Sequence, residues 1–192
     1  MKIGKSHLVA VAALLGLGTG GCVPLVVGGG AMAVNAATQE RGIGGAANDA
    51  RIQAEINHLW LQHDIELETR LDMTVDEGRV LLTGLAKSEE MRADAVRLAH
   101  QVEGVKEVIN EIEVDPSDAS LQGRVNDKWI TTRMRTALVT DGRIRQNNYS
   151  IVTVKGVMYL IGVAQNQTEL DRVLAHARGI PNVRRVVSYV RV

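Results

Sequence analysis

The stretch VDEGRVLLTGLA at residues 75–86 decides the fold, because it returns as TVKGVMYLIGVA at residues 153–164. The pattern of each copy predicts a strand, a tight turn that ends in glycine, and a second strand that ends at a second glycine. The matching glycines lie 78 positions apart: Gly78 with Gly156, and Gly84 with Gly162. The chain therefore carries the same hairpin twice.

The repeat extends beyond the hairpin at the same offset and without a gap. The matched positions include Asn48 with Asn126, Asp49 with Asp127, Ile52 with Ile130, Ala99 with Ala177, Val105 with Val183, and Val114 with Val192. A unit of this length has enough elements for a core of its own, unlike one repeat of a solenoid. We therefore predict two tandem small domains at residues 46–114 and 124–192, joined by a polar linker at residues 115–123.

Each copy has the pattern helix, strand, strand, helix, strand, which predicts an α+β unit with a three-stranded sheet packed on two helices. In the first copy Asp49 is a candidate cap for a helix that ends near His63. Ser88 starts a second helix, which Gly104 ends. The first copy's predicted strands are residues 71–75, 80–82 and 105–114. The second copy's elements are residues 126–140, 149–154, 158–161, 166–178 and 183–192, and Asn182 replaces the glycine as a left-handed residue.

The first 21 residues are interpreted as a targeting segment. Lys2 and Lys5 begin it, and residues 8–17 form an apolar run that is too short to span a bilayer. Cys22, the only cysteine, follows small residues and resembles the cysteine of a bacterial lipobox, although Thr19 replaces the usual leucine. That resemblance implies cleavage before Cys22 and acyl chains such as palmitate on it, which anchor the chain. An ordinary signal peptide with an incidental cysteine is the alternative.

The residues that follow Cys22 indicate the membrane in which the chain is anchored and the kind of segment that joins the anchor to the first domain. Val23 stands where an aspartate would give an inner-membrane retention signal, so the lipobox resemblance implies the outer membrane of a Gram-negative bacterium. Residues 22–45 are rich in Gly and Ala without clear periodicity, and we predict a flexible tether. Their glycines do not match a phosphate-binding pattern, which argues against a nucleotide site.

Charge divides the two copies, although the formal net charge of the chain is zero. Residues 46–114 hold seven Lys or Arg against fifteen Asp or Glu, and residues 124–192 hold twelve against four, so the net charges are −8 and +8. One interpretation is that the asymmetry serves only to dock the domains. The other is that the basic copy meets an anionic partner. Phospholipid head groups or acidic envelope polymers fit an exported lipoprotein, whereas nucleic acid does not.

The helix predicted at residues 126–140 has an aromatic residue outside its apolar stripe. Ile130, Met134 and Leu138 mark the stripe, and Trp129 lies roughly 100° or more from its centre. The other outward residues are Lys128, Arg133, Arg135 and Val139. A tryptophan among cations favours a membrane interface, where the ring enters the head-group layer and the cations meet phosphates. The alternative is that Trp129 packs under the linker or against the acidic copy, whereas Trp60 matches a core position.

The two-glycine hairpin and the ending GVKEVINEI at residues 104–112 resemble a BON domain. Two such units behind a lipobox cysteine, with NDKWITT at residues 126–132 opening the second, resemble the dual-BON outer-membrane lipoproteins. The resemblance implies that the second domain binds anionic phospholipid and that the protein supports outer-membrane integrity at the division site. It also implies lipid contacts from Trp129, Arg133 and Arg135, with weaker ones from Lys128 and Val139.

Catalytic and metal-binding patterns are not evident in the sequence. His58, His63, His100 and His176 have no metal-ligand spacing, and no serine has the context of a nucleophile elbow. Two compact domains are expected to offer little of the polar cleft that an enzyme needs, so we expect neither catalysis nor a cofactor. The alternative to lipid binding is a protein–protein adaptor, regulating cell-wall hydrolases or outer-membrane assembly with the acidic copy as its docking face.

Overall fold

The computed structural model describes residues 42–117 and 121–192. The first domain consists of α1 (Gly42–His63), α2 (Ile65–Arg70), β1 (Leu71–Asp76), β2 (Arg79–Ala86), α3 (Glu89–His100) and β3 (Glu107–Val114). The second consists of α4 (Leu121–Thr140), a 3-10 turn (Gln146–Asn148), β4 (Tyr149–Val154), β5 (Val157–Val163), α5 (Gln167–Gly179) and β6 (Arg185–Arg191). The predicted signal peptide, the predicted lipidation at Cys22 and the tether as far as residue 41 lie outside the described residues.

Each domain holds one three-stranded sheet, in the order β1-β2-β3 or β4-β5-β6. The hairpin strands are antiparallel, and the third strand runs parallel to the second. A parallel return needs a crossover, which α3 and α5 supply. The predicted α+β unit is confirmed. The short helix α2 and the 3-10 turn are additions that no apolar periodicity could have indicated, because each spans less than two turns.

The two cores use the same positions of the repeat. Ile52 and Ile56 of α1 are fully buried in the first core, and Ile130 and Met134 of α4 are fully buried in the second. Trp60 is only 1% exposed, and its indole N–H donates to the Ala95 carbonyl at 3.3 Å. The prediction that Trp60 belongs to the core is confirmed.

Several predicted boundaries are wrong. The helix α1 begins at Gly42, inside the predicted tether, and α4 begins at Leu121, inside the predicted linker. The helix α3 ends at His100, and Gly104 follows in a turn with φ of +91°. Glycine-rich and polar segments lack an apolar period of 3.6 residues, so the sequence does not indicate that these helices begin before their first amphipathic turn. Asn182 adopts φ of +68°, as its replacement of glycine predicted.

Asp49 does not cap α1, because it lies within the helix. Its carboxylate instead accepts hydrogen bonds from the backbone N–H groups of Glu77 and Gly78, each at 2.9 Å. Those two residues form the β1–β2 turn and both have positive φ, at +53° and +80°. A turn of this kind directs its N–H groups outward, so a carboxylate is needed to satisfy them.

Asp127 forms the same clamp in the second domain. Its carboxylate accepts from the N–H groups of Lys155 and Gly156, each at 2.8 Å. The repeated Asn-Asp pair therefore marks a bond between the first helix and the hairpin of each domain.

The clamp predicts a stability effect that can be measured directly. We expect Asp127→Ala to lower the free energy of unfolding by about 2 kcal/mol, because two charge-assisted hydrogen bonds disappear and their donors lose a partner. Urea unfolding followed by circular dichroism measures this change. Asp171→Ala is the control, since its exposed carboxylate bonds only to the Gln167 side chain. Equal midpoints for the two variants would contradict the clamp.

The two sheets pack against each other through their outer faces. The buried side chains at this contact are Leu81 and Ile109 from the first domain and Val157, Tyr159 and Ile161 from the second. They point away from their own domain's core because successive residues of a strand point to opposite faces. The docking of the two copies therefore has an apolar centre.

Ion pairs and hydrogen bonds surround that apolar contact. Lys155 Nζ lies 2.9 Å from Asp115 Oδ2 and 3.5 Å from a Glu113 carboxylate oxygen. Arg79 donates to the Tyr189 carbonyl at 2.9 Å. Further bonds across the contact join Tyr189 to Glu111 and Arg191 to Glu77. Part of the charge asymmetry therefore serves docking.

Candidate functional site

The outward face of α4 carries three of the large apolar side chains that the described residues expose. Val125 is 61% exposed, Trp129 is 41% exposed and Val139 is 63% exposed. On the opposite side of the same helix, Ile130, Met134 and Leu138 are buried in the core, so α4 is apolar on both sides. The prediction that Trp129 faces outward, rather than packing under the linker or on the acidic domain, is confirmed by its exposure.

Threonines fill the space between these apolar residues. The hydroxyls of Thr132, Thr136 and Thr140 donate to the helix carbonyls four residues earlier, at 2.8, 3.0 and 3.0 Å. Threonine in a helix commonly makes this bond. Because each hydroxyl hydrogen is already bonded within the helix, the side chain does not need water as an acceptor. The outward face of α4 is therefore less polar than its sequence suggests.

Cations flank the apolar residues on both sides. The Arg133 guanidinium lies over the Trp129 ring, 5.1 Å from its centroid, which is a cation–π distance. Lys128 and Arg135 lie on the other flank and are exposed. Among the described residues, Lys128, Arg133 and Arg135 form no ion pair with a carboxylate. The structure thus brings together on one helix all five residues predicted to contact lipid.

The matching face of the first domain differs. Arg51 occupies the position of Trp129 in the repeat, and its guanidinium bonds to Glu55 at 2.9 Å and to the Glu103 carbonyl at 2.7 Å. The first copy therefore presents a paired cation where the second presents an exposed aromatic ring. The two copies share a fold but not this surface.

Lys155 and its partners show how the cations used in docking differ from those of α4. The Ser117 hydroxyl and the Lys155 ammonium together lower the pKa of Asp115 to about 2. Conversely, Asp115 raises the pKa of Lys155. Both groups are engaged with each other at the domain boundary, whereas the cations of α4 remain available to an external anion.

A groove of about 910 Å³ separates α4 and β4 of the second domain from α2 and β1 of the first. Its lining includes Arg124, Lys128 and Arg135 on one wall and Glu68 and Asp72 on the other. The expectation that the two compact domains offer little of a polar cleft is wrong. The sequence could not indicate this groove, because it forms only when the domains dock.

Histidines and carboxylates do not assemble into a metal site in the described parts of the chain. His63 contacts Asp94 at 3.0 Å and His176 contacts Asp141 at 3.2 Å, and each aspartate also pairs with an arginine of its own domain, Arg97 or Arg143. These geometries are those of surface ion pairs. As for the membrane itself, no helix of residues 42–117 or 121–192 is both long and apolar enough to cross it.

The fold and the repeated clamp define a protein of two docked α+β units, and comparison with known proteins gives the family. A family model for the BON domain matches residues 48–116 and 126–192. The chain belongs to the BON-domain family and carries two such domains, as its hairpins had indicated.

Three relatives are similar over most of the chain. An uncharacterized protein in the gshII 5′ region of Anaplasma centrale is 42% identical, over 75% of this chain and 94% of its own length. Outer membrane lipoprotein DolP of Haemophilus influenzae is 33% identical, over 88% of this chain and 89% of its own. Osmotically-inducible protein Y of Escherichia coli is 27% identical, over 75% of this chain and 72% of its own.

Proposed function

We propose that this chain is an outer-membrane lipoprotein of the DolP type, anchored through Cys22 and facing the periplasm, whose second BON domain binds anionic phospholipid. In this proposal the outward face of α4 enters the head-group layer, and the protein supports outer-membrane integrity at the division site. The likeness to DolP supports the outer-membrane lipoprotein part. No catalytic step or cofactor belongs to the proposal.

The exposure of Trp129 carries the lipid-binding part. A 41% exposed tryptophan between two exposed valines lies outside the core cluster of its own domain. Tryptophan favours the interface of a bilayer because its ring is apolar and its N–H can stay hydrated. Lys128, Arg133 and Arg135 would then face lipid phosphates, each adding about 1 kcal/mol near an anionic surface.

Flotation with vesicles tests this proposal. Residues 23–192 without the lipid anchor should float with phosphatidylglycerol-containing vesicles but not with phosphatidylcholine vesicles, and capture should weaken as salt is raised. Trp129→Ala should reduce capture at least about tenfold, because the ring is the largest side chain that enters the interface.

Leu61→Ala is the matched control, since Leu61 is an exposed apolar residue of the acidic domain. It should leave capture unchanged. If the unaltered chain fails to float with anionic vesicles at low salt, the lipid-binding proposal is wrong. Equal losses in both variants would mean that exposed apolar area in general, and not the α4 face, drives capture.

The groove between the domains favours a second candidate function, that of a protein–protein adaptor regulating cell-wall hydrolases or outer-membrane assembly. This function predicts that Trp129→Ala leaves partner binding intact. The two functions overlap at Lys128 and Arg135, which belong to the α4 face and also line the groove, whereas Trp129 belongs to the α4 face alone.

A further inference from the structure

The strand β4 has an open edge. It pairs with β5 on one side, and no other described strand pairs with it. Val154 and Val157 flank a two-residue turn, and in such a hairpin this pair exchanges both backbone bonds. Because hydrogen-bonded and non-hydrogen-bonded pairs alternate along an antiparallel ladder, the backbone N–H and C=O groups of Ile151 and Thr153 point toward the open edge. Both residues line the groove between the domains.

This edge lacks the usual protection against strand pairing. Natural sheets protect their edges with charged residues, proline or bulges. The sequence of β4, YSIVTV, contains no charged residue and no proline, and its pairing with β5 runs without a bulge. The corresponding edge strand of the first domain, LDMTVD, carries two aspartates. The β4 edge is therefore better suited than the β1 edge to accept another strand.

Charge on the walls of the groove defines what such a strand would carry. Arg124, Lys128 and Arg135 lie on the α4 wall beside β4, and none of them is paired with a described carboxylate. The opposite wall presents Glu68 and Asp72. Two further charged residues of the lining are engaged by neighbours: Asp127 accepts from the turn after β4, and Arg70 donates to the Leu85 carbonyl at 3.1 Å. A strand added to β4 points alternate side chains at the two walls. Carboxylates suit the α4 side, and neutral or basic residues suit the other.

Dimensions also match an extended segment. Arg124 and Arg135 are eleven residues apart on a helix, which is roughly 16 Å at 1.5 Å per residue. Five residues of a β-strand cover about the same length. The groove volume of about 910 Å³ is at the upper end for small-ligand sites, and it is larger than a single phosphate group needs.

We propose that the groove binds an extended peptide segment of a partner protein, which adds as a strand to β4 and directs carboxylates on alternate residues at Arg124, Lys128 and Arg135. Main-chain hydrogen bonds to Ile151 and Thr153 supply affinity, and the wall charges supply selectivity. This site shares Lys128 and Arg135 with the proposed lipid contact, but the edge of β4 and Arg124 belong to it alone, and it does not depend on Trp129.

The first experiment uses the unaltered chain, residues 23–192, with a labelled peptide, acetyl-Glu-Val-Glu-Thr-Glu-Val-amide. A matched peptide has lysine in place of each glutamate. Fluorescence anisotropy should show binding of the acidic peptide and at least about tenfold weaker binding of the basic one. Hydrogen exchange should show that the acidic peptide slows exchange in β4 and leaves β1 unchanged.

The second experiment changes the edge itself. Thr153→Pro removes an outward N–H that the β4–β5 pairing does not use, and proline is tolerated at such edge positions. It should weaken binding of the acidic peptide at least about tenfold. Thr153→Val keeps the N–H and removes only the hydroxyl that bonds to Thr131 at 2.9 Å, so binding should stay within about twofold.

Anionic-vesicle capture separates this proposal from lipid binding. Thr153→Pro should float as the unaltered chain does, so a failure of lipid binding leaves the peptide result standing. If Thr153→Pro does not fold, hydrogen exchange on the unaltered chain still decides. Equal affinity for the two peptides, or no slowing in β4, would overturn the proposal. If hydrogen exchange in β4 slows as protein concentration rises, the occupant is a second copy of the chain. If it slows when vesicles are added, the occupant is a lipid. Either result would also overturn the proposal.

Discussion

Gly162→Ala is expected to prevent the second domain from folding stably, with a loss of about 3 kcal/mol or more in the free energy of unfolding. A Cβ at this position would lie 1.9 Å from the Asn148 carbonyl oxygen and 3.2 Å from the Tyr149 Cα. Both neighbours are backbone atoms, which cannot rotate away. The φ of +148° adds strain for any residue with a side chain.

The control for this substitution lies in the same domain. Gly142 has no atom within 4 Å of an added Cβ, so Gly142→Ala should change stability by no more than about 0.5 kcal/mol. Urea unfolding followed by circular dichroism compares the two variants. If Gly162→Ala unfolds at the midpoint of the parent chain, the close approach of Asn148 is not a fixed feature of the domain.

The same glycine shows what the sequence could and could not predict. The repeat identified Gly84 and Gly162 as special, but the prediction that they stop their strands is wrong, because β2 continues to Ala86 and β5 to Val163. Their actual role is steric: an added Cβ at Gly84 would lie 2.5 Å from the Arg70 carbonyl. Sequence periodicity reports strands, whereas a close approach between distant backbones depends on tertiary structure.

The candidate site also has features that the sequence could predict and features that it could not. The outward position of Trp129 followed from helical periodicity alone, since one helix determines which of its faces meets its own core. The pairing of threonine hydroxyls along α4 and the clamp of Asp127 involve hydrogen bonds that polarity patterns do not reveal. The groove needs both domains at once, so no feature of either copy alone could have indicated it.

Leu81→Asp is expected to separate the two domains without unfolding either one. Leu81 is 1% exposed and packs at the contact between the sheets, on the side of β2 that faces away from the first domain's core. A carboxylate there would be buried among the apolar side chains of Ile109, Tyr159 and Ile161, which costs several kcal/mol. Undocking restores its hydration, whereas each domain keeps the core on its other face.

Rotational correlation times from NMR relaxation measure this separation. In the unaltered chain the two domains should tumble as one body, and in Leu81→Asp each should tumble faster and independently. Ile65→Asp adds the same charge at an exposed position of the same domain and should leave tumbling unchanged. Loss of the first domain's secondary structure in Leu81→Asp would contradict the view that each domain's stability rests on its own core.

The separated domains would also distinguish the two proposed surfaces. The face with Trp129 belongs to α4 alone, so anionic-vesicle capture should survive in Leu81→Asp. The groove needs the wall of the first domain that carries Glu68 and Asp72, so its selectivity between peptides should change once that wall moves away. With the acidic wall removed, the basic peptide gains no contact and the acidic peptide loses a repulsive neighbour. Discrimination in favour of the acidic peptide should therefore increase, because only the cations of α4 remain beside β4.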